Sequence, residues 1–89
     1  MTRIEKIRSA LESALHTTQI EIEDESHLHA GHAGAQSGRG HYRVVIISSV
    51  FENLGPAPRH RAVYAALGTL MQSDIHALSI RALTPSEAS

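Results

Sequence analysis

The histidines are the residues of this chain whose type and spacing best suit a chemical role, and there are seven of them in 89 residues. His27, His29 and His32 fall within six residues of a glycine-rich stretch, and His41 stands at its far end. Neutral imidazole is a good ligand for iron, zinc and copper. The spacing, however, is neither that of a helical His-Glu-x-x-His site nor that of a zinc finger. It predicts either a flexible ligand set for a metal or partner held elsewhere, or a solvated polar loop.

His76 is separate from that group and has its own two interpretations. It lies where a helical pattern gives way to a strand pattern, and it has the same parity as Leu78 and Ile80. A single histidine at such a place is most often structural, with its ring hydrogen-bonded inside the domain. A ligand role is the alternative that the pattern leaves open.

A basic run, Arg59-His60-Arg61, occupies the expected first turn of a helix. Cations in a first turn oppose the helix dipole, which favours a use such as phosphate binding or contact with an acidic partner. A solvated polar face is the alternative. Because such a run is seldom buried, we expect Arg59 and Arg61 to contribute to binding more than to folding.

The composition excludes several classes of protein. The absence of cysteine removes disulfides, thiolate ligands and cysteine nucleophiles. Eight Lys and Arg against nine Asp and Glu give a net charge of −1, which does not predict a strongly electrostatic nucleic-acid or membrane binder. The charged first residues and the lack of an apolar stretch of about 18 residues predict a cytoplasmic protein. No enzymatic activity is expected, because a mobile loop does not hold a nucleophile and its base in the geometry that catalysis needs.

The elements that must position these residues begin with a helix. The chain has helical spacing of apolar residues up to Leu15, and Thr2 and Glu5 have the spacing of a capping box, so the first helix starts near Thr2. Alternation from Ile20 predicts an edge strand. Residues 41–48 are apolar on both parities in their second half, which predicts a central strand covered on both sides. The glycine-rich residues 25–40 between the strands predict a long, mobile loop.

A second helix and a third strand complete the pattern. Pro56 and Pro58 suit a helix entry, and an apolar stripe continues this helix to Ser73 or Asp74. Alternation around residues 78–82 predicts the last strand, followed by a polar tail over 85–89. The order is αββαβ, or αββααβ if residues 54–58 add a helical turn. It predicts one α+β domain over 1–89, ordered over about 3–84, with strands two and three parallel and strands one and two antiparallel.

Several runs of this sequence resemble those of the BolA family over residues 3–87. These runs are Asp24-Glu-Ser-x-x-His29-Ala, Tyr42-Arg-Val-Val-Ile-Ile-Ser48, Arg59-His-Arg61-x-Val-Tyr64, and Ile75-His-Ala-Leu78 with Thr84, Pro85 and Glu87 after it. The resemblance implies a three-stranded mixed sheet with helices packed on one face, similar to the type II KH fold.

The resemblance also implies a function as the partner of a monothiol glutaredoxin. In the family, the heterodimer holds a [2Fe-2S] cluster, with a glutaredoxin cysteine and glutathione on one iron and BolA side chains on the other. The family's C-terminal histidine ligand falls on His76, and its loop ligand falls on His29, with His32 and His41 as substitutes. Without cysteine this chain is a histidine-type member. The apo form is expected to be a monomer or a weak homodimer.

The family's other role is DNA binding in transcriptional regulation. Arg43 and the run from Arg59 to Arg61 are the candidate contacts for DNA or for a protein partner. Residues 36–89 carry a weak net positive charge, which gives this role limited support. The segment from Gly31 to Gly34 fits the GxxG pattern of KH domains, but it lies between two strands and contains no Lys or Arg, so we interpret it as coincidental.

Overall fold

The fold is taken from a computed structural model, in which residues 2–26 and 39–89 are described. The elements in chain order are α1 Arg3–Leu15, β1 Ile20–Asp24, β2 Gly40–Ile47, a 3-10 turn Ser49–Phe51, α2 Pro56–Leu67, α3 Leu70–Ser73, β3 Ile75–Leu83 and α4 Pro85–Ala88. Within these ranges, none of the helices has the length and apolar character needed to cross a bilayer.

The sheet has the predicted mixed topology. Its order is β1-β2-β3, so β2 is central. β1 pairs with β2 antiparallel, with Ile20 opposite Ile46, and β2 pairs with β3 parallel, with Val44 opposite Ile80. The α+β fold class is confirmed, as are the edge position of β1 and the capping box of Thr2 and Glu5 at the start of α1.

The core lies on one face of the sheet, between the strands and the two long helices. Its buried members are Ile7, Leu11, Leu15, Ile20, Tyr42, Val44, Ile46, Phe51, Val63, Leu67 and Ile75. The prediction that β2 is covered on both faces is wrong. Arg43 is exposed and Val45 and Ile47 are only half-buried, because the helices pack on one side of the sheet and the other parity of β2 has no helix above it. We call this open side the outer face.

The second helix differs from the prediction because it is broken. α2 ends at Leu67, and Gly68 adopts φ 54° and ψ −127°, a backbone region that residues with a Cβ avoid. After Gly68 the chain forms one more helical turn, α3. No separate turn forms over 54–58, because Gly55 caps α2 and Pro56 is its first residue.

The predicted polar tail also forms a helical turn, α4. Thr84 accepts from the Glu87 N–H while the Glu87 carboxylate accepts from the Thr84 N–H, a second capping box, and Pro85 occupies the first turn. The segment is therefore held against the end of β3 and does not extend away from it.

Candidate functional site

Two histidines meet at the start of the two parallel strands. His41 is the second residue of β2 and His76 the second residue of β3. Because parallel strands begin at the same edge of a sheet, the two side chains are brought together from 35 residues apart in sequence. Their ring centroids lie 5.1 Å apart and their planes are tilted by 55°. This histidine pair is the candidate functional site.

A break in strand register places His76 on the surface. Gly40 lies opposite Ile75, but the next residue, His41, lies opposite Ala77, so β3 has one extra residue at position 76. Such a bulge reverses the side-chain parity. Ile75 is fully buried and His76 is exposed. The interpretation of His76 as a buried structural histidine, which rested on its shared parity with Leu78, is wrong.

Gly40 makes this register possible. Its N–H donates to the main-chain oxygen of Asp74, at 2.9 Å, and so joins β2 to the residue that precedes β3. Gly40 is buried against the ring of Tyr42, and a Cβ at position 40 would lie 2.6 Å from that ring. A residue with a Cβ would fit here only if the Tyr42 ring moved.

Asp74 in turn ties this corner to the first helix. Its Oδ2 accepts from Arg3 Nε at 3.2 Å and from Lys6 Nζ at 3.3 Å. The pKa of the Asp74 carboxyl is held below its ordinary value by the Ser73 hydroxyl and, to a smaller extent, by Lys6 and Arg3. The first turn of α1 thus holds in place Asp74, the residue that precedes β3.

The two histidines differ in how firmly they are held. His41 is 8% exposed, its main-chain N–H donates to Ser26 Oγ at 3.1 Å, and its carbonyl accepts from the Glu25 N–H at 2.8 Å. The main-chain hydrogen bonds of His41 therefore join the start of β2 to residues 25 and 26, which follow β1 in the chain. The exposed ring of His76 is the more accessible of the two.

Arg39 is a neighbour of His76 that the sequence did not single out. Its Nη2 lies 3.4 Å from His76 Nδ1, and its Nη1 lies 3.4 Å from the Gln72 carbonyl oxygen. A guanidinium can only donate, so this contact requires an unprotonated Nδ1, and the neutral ring then carries its proton on Nε2. Binding of a metal at either ring nitrogen of His76 therefore requires the Arg39 contact to break, because a metal at Nδ1 displaces Arg39 and a metal at Nε2 moves the ring proton to Nδ1.

The histidine pair suits a metal that a partner also ligates. Within residues 2–26 and 39–89, no group of three or more His, Asp or Glu is placed to hold a metal ion. Two imidazoles are the protein ligands of one iron in a Rieske-type [2Fe-2S] cluster. On a tetrahedral metal, with metal–nitrogen distances of about 2 Å, their centroids would be about 5 Å apart, close to the spacing of His41 and His76.

The other loop candidates, His27, His29 and His32, lie outside the described residues. The assignment of His29 as the loop ligand, with His32 as its substitute, therefore stays a prediction. His41 is the loop-end candidate that the described residues place beside His76.

Arg59 does not have the exposed position predicted for the basic run. Its side chain is only 14% exposed. Its Nε donates to Leu54 O at 2.8 Å and its Nη1 to Ala82 O at 3.0 Å, while Nη1 and Nη2 bind the Glu87 carboxylate at 2.6 and 3.1 Å. This interaction lowers the pKa of Glu87 to about 2. The expectation that Arg59 is exposed is wrong, and its donors join three segments of the chain, which indicates a contribution to folding.

The remaining basic candidates are on the surface and apart from one another. His60 and Arg61 are exposed on α2, as predicted. Arg43 is exposed on the outer face of the sheet, whereas the run from Arg59 to Arg61 belongs to the helical layer. The four residues grouped from the sequence as partner or nucleic-acid contacts therefore do not form one patch.

Comparison with known proteins gives consistent results. A family model described as BolA-like protein matches residues 11–87. BolA-like protein 1 of Homo sapiens is 43% identical over 81 residues, covering 91% of this chain and 57% of the human protein. DNA-binding transcriptional regulator BolA of Haemophilus influenzae is 38% identical over 68 residues, covering 76% of this chain and 63% of that protein. The chain thus spans less than two thirds of the length of these relatives.

A solved structure matches over the whole chain. The structure of BolA1 from Arabidopsis thaliana has a TM-score of 0.84 and 35% sequence identity, covering 100% of this chain and 99% of that chain. The similarity of fold therefore extends over the whole chain.

Proposed function

Because this chain belongs to the BolA family, we propose that it is the partner of a monothiol glutaredoxin and ligates a shared [2Fe-2S] cluster through histidine. Its role would be in iron-sulfur cluster assembly, trafficking or iron regulation, without catalysis by the chain itself. The observation that supports this most directly is the pairing of His41 and His76 at the common edge of two parallel strands.

The number and type of ligands argue for a shared cluster. A four-coordinate iron of a [2Fe-2S] cluster has two bridging sulfides and needs two ligands from protein. His76 and a second histidine would supply both for one iron, and the glutaredoxin cysteine and glutathione would supply those of the other. Neutral imidazoles in place of thiolates raise the reduction potential of such a cluster.

The two ligands would have different roles. His76 is exposed on the bulge of β3 and is the residue that an approaching partner can reach. The second ligand is His29, on the family match, or His41, on its position beside His76. His32 remains a substitute for either.

Reconstitution with a monothiol glutaredoxin tests the proposal. The chain is mixed with the glutaredoxin, glutathione, iron and sulfide, and the size and visible absorbance of the product are recorded. We expect a coloured heterodimer from the unmodified chain and none from His76→Ala. Separate colourless monomers from the unmodified chain would overturn the proposal.

The control removes a histidine elsewhere. His16 ends α1 with φ 51°, and His16→Asn keeps a residue type that tolerates this conformation. We expect His16→Asn to assemble the cluster normally. Assembly by His76→Ala with unchanged spectra would reject His76 as a ligand.

Single substitutions separate the candidates for the second ligand. If His29 is the ligand, His29→Ala should change the spectra while His41→Ala does not, and the reverse is expected if it is His41. His29→Cys should lower the reduction potential if position 29 binds iron, because a thiolate donates more charge than imidazole. Unchanged spectra in both alanine variants would leave His32 as the second ligand.

The second candidate function is DNA binding, and it is supported by the name of the Haemophilus relative and by the KH-like order of elements. Anisotropy of a labelled duplex over a salt series tests it, because phosphate contacts give an affinity that falls steeply with salt. Salt-dependent DNA binding by a chain that forms no cluster with glutaredoxin would favour this function over the first.

A further inference from the structure

The outer face of the sheet carries charge in an ordered pattern. Its side chains come from alternate positions of the three strands: Glu21 and Glu23 on β1, Arg43, Val45 and Ile47 on β2, and Ser79, Arg81 and Leu83 on β3. One edge strand therefore contributes acidic groups, the other contributes a basic group, and the central strand contributes two apolar residues and Arg43.

The strand register aligns these residues in rows across the sheet. Glu21 lies opposite Val45, and Val45 lies opposite Arg81. The row therefore runs from acidic through apolar to basic, with both charged side chains exposed. Val45 and Leu83 are half-buried but lie outside the core cluster. They line an open depression together with Glu21 and Arg81, and Arg8 of α1 reaches its β1 edge, where its Nη1 donates to the Ile20 carbonyl oxygen.

We propose that a second copy of this chain docks face to face on the outer face, related by a two-fold axis parallel to β2. This axis places β1 of one copy over β3 of the other and keeps each row at the same height. Glu21 then faces the second copy's Arg81, Val45 faces the second copy's Val45, and Arg81 faces the second copy's Glu21. Both charged contacts are attractive, and the apolar centres meet.

The alternative two-fold axis, perpendicular to the strands, does not give this match. It places β1 of one copy over β1 of the other, so that Glu21 and Glu23 meet acidic residues. Like charges in opposition disfavour association. Charge complementarity therefore selects one orientation of the second copy.

The row at Arg43 is neutral within each copy. Glu23 lies opposite Arg43 on the neighbouring strand, and Arg43 lies opposite Ser79. On the proposed axis Arg43 meets the second copy's Arg43, and the cross-strand Glu23 offsets this contact. Arg43 is thus the one basic group of the face whose removal should not weaken the dimer.

The size of the face predicts a weak dimer. Three strands spaced about 4.8 Å apart and about five residues long form a surface on the order of 15 by 17 Å, well below the ~800 Å² per partner of a stable interface. Exposed ion pairs contribute little each and are screened by salt. We expect association only at high concentration, with a Kd on the order of 1 mM at low salt.

Charge exchange provides the test. Glu21→Arg alone and Arg81→Glu alone should each abolish association, because each puts like charges together at both ends of the row. An equimolar mixture of the two variants should associate again, since Arg at 21 of one chain then faces Glu at 81 of the other and the unaltered Arg81 faces Glu21. Sedimentation velocity and concentration-dependent amide shifts measure this at about 1 mM chain.

Two control variants make the outcome specific. Glu52→Arg makes the same charge change at an exposed position after the 3-10 turn, off the sheet, and should leave association intact. Arg43→Gln should leave it intact or strengthen it. An unmodified chain that stays monomeric at about 1 mM and low salt, or a mixture of the two exchange variants that stays monomeric while both are folded, would overturn the proposal. The result is independent of cluster binding, because no iron, sulfide or glutaredoxin is present.

Discussion

Replacing Arg59 by alanine should destabilise the domain strongly, whereas replacing Arg61 two residues away should not. Arg59 donates to the carbonyls of Leu54 and Ala82 and to the Glu87 carboxylate. It therefore connects the entry to α2, the end of β3 and α4. Arg61 is exposed on the same helix and has no comparable contact among the described residues.

The expected loss of stability follows from the hydrogen-bond acceptors that the substitution leaves without the Arg59 donors. Arg59→Ala removes a charged donor from two part-buried carbonyls and from the carboxylate that fixes α4. Hydrogen bonds to a charged group are among the stronger ones in proteins. In a domain of this size the loss should lower Tm by about 10 °C. Arg61→Ala should change Tm by no more than about 2 °C, as is usual for an exposed side chain.

Thermal unfolding followed by circular dichroism at neutral pH measures the difference. Arg59→Lys is the intermediate variant, because an ammonium keeps the charge but cannot reach the two carbonyls and the carboxylate in the fork geometry of a guanidinium. Equal Tm values for Arg59→Ala and Arg61→Ala would refute this reasoning and would show that the bonds of Arg59 contribute little to folding.

Three further predictions concern single positions. Gly68→Ala should cost about 1 to 3 kcal/mol because of its positive φ. Gly55→Ala, with φ −76° and open space around it, should cost less than about 1 kcal/mol, because Ala is a poorer N-cap residue than Gly but meets no steric conflict. Urea unfolding measures both costs, and equal values would contradict the prediction. The folded pKa of Glu87 is about 2, below its ordinary 4.5, so its contribution to stability is complete above about pH 4.5 and is lost as the pH falls toward 2. Glu87→Gln should therefore flatten the dependence of stability on pH in that window. An unchanged pH dependence there would argue against the ion pair. Gly40→Ala should displace the Tyr42 ring and shift its aromatic proton signals in NMR spectra, and unchanged ring signals would contradict the close packing of Gly40 against Tyr42.

The parts of the fold that the sequence predicted are those specified by local pattern. The spacing of Thr2 and Glu5 is that of a capping box at a helix start, and the alternation from Ile20 is that of a strand. The same local signal exists at Thr84 and Glu87, with Pro85 between them, and it could have identified α4. Four residues are too few to show helical periodicity, so the hydrophobic pattern alone predicts a tail.

The parts that the sequence missed depend on contacts between distant residues. The apolar stripe of the second helix continues through Leu67 and Leu70, so only the backbone conformation of Gly68 shows the break. The exposed position of His76 depends on the pairing of Gly40 with Ile75, and a bulge of one residue cannot be seen in the alternation of β3 alone. The bonds of Arg59 to Leu54 and Ala82 have no counterpart in the helical pattern around it.

The two proposed surfaces are separate on the same sheet, and this separation makes each proposal a control for the other. His41 and Val45 are four residues apart on β2, a distance of about 13 Å along an extended strand. The histidine pair lies at the strand starts, whereas the row of Glu21, Val45 and Arg81 crosses the middle of the sheet. Glu21→Arg should therefore leave cluster assembly with glutaredoxin intact, and His76→Ala should leave self-association intact. If one substitution removed both activities while the chain remained folded, the glutaredoxin and the second copy would have to compete for a single surface, and the assignment of separate surfaces would be wrong.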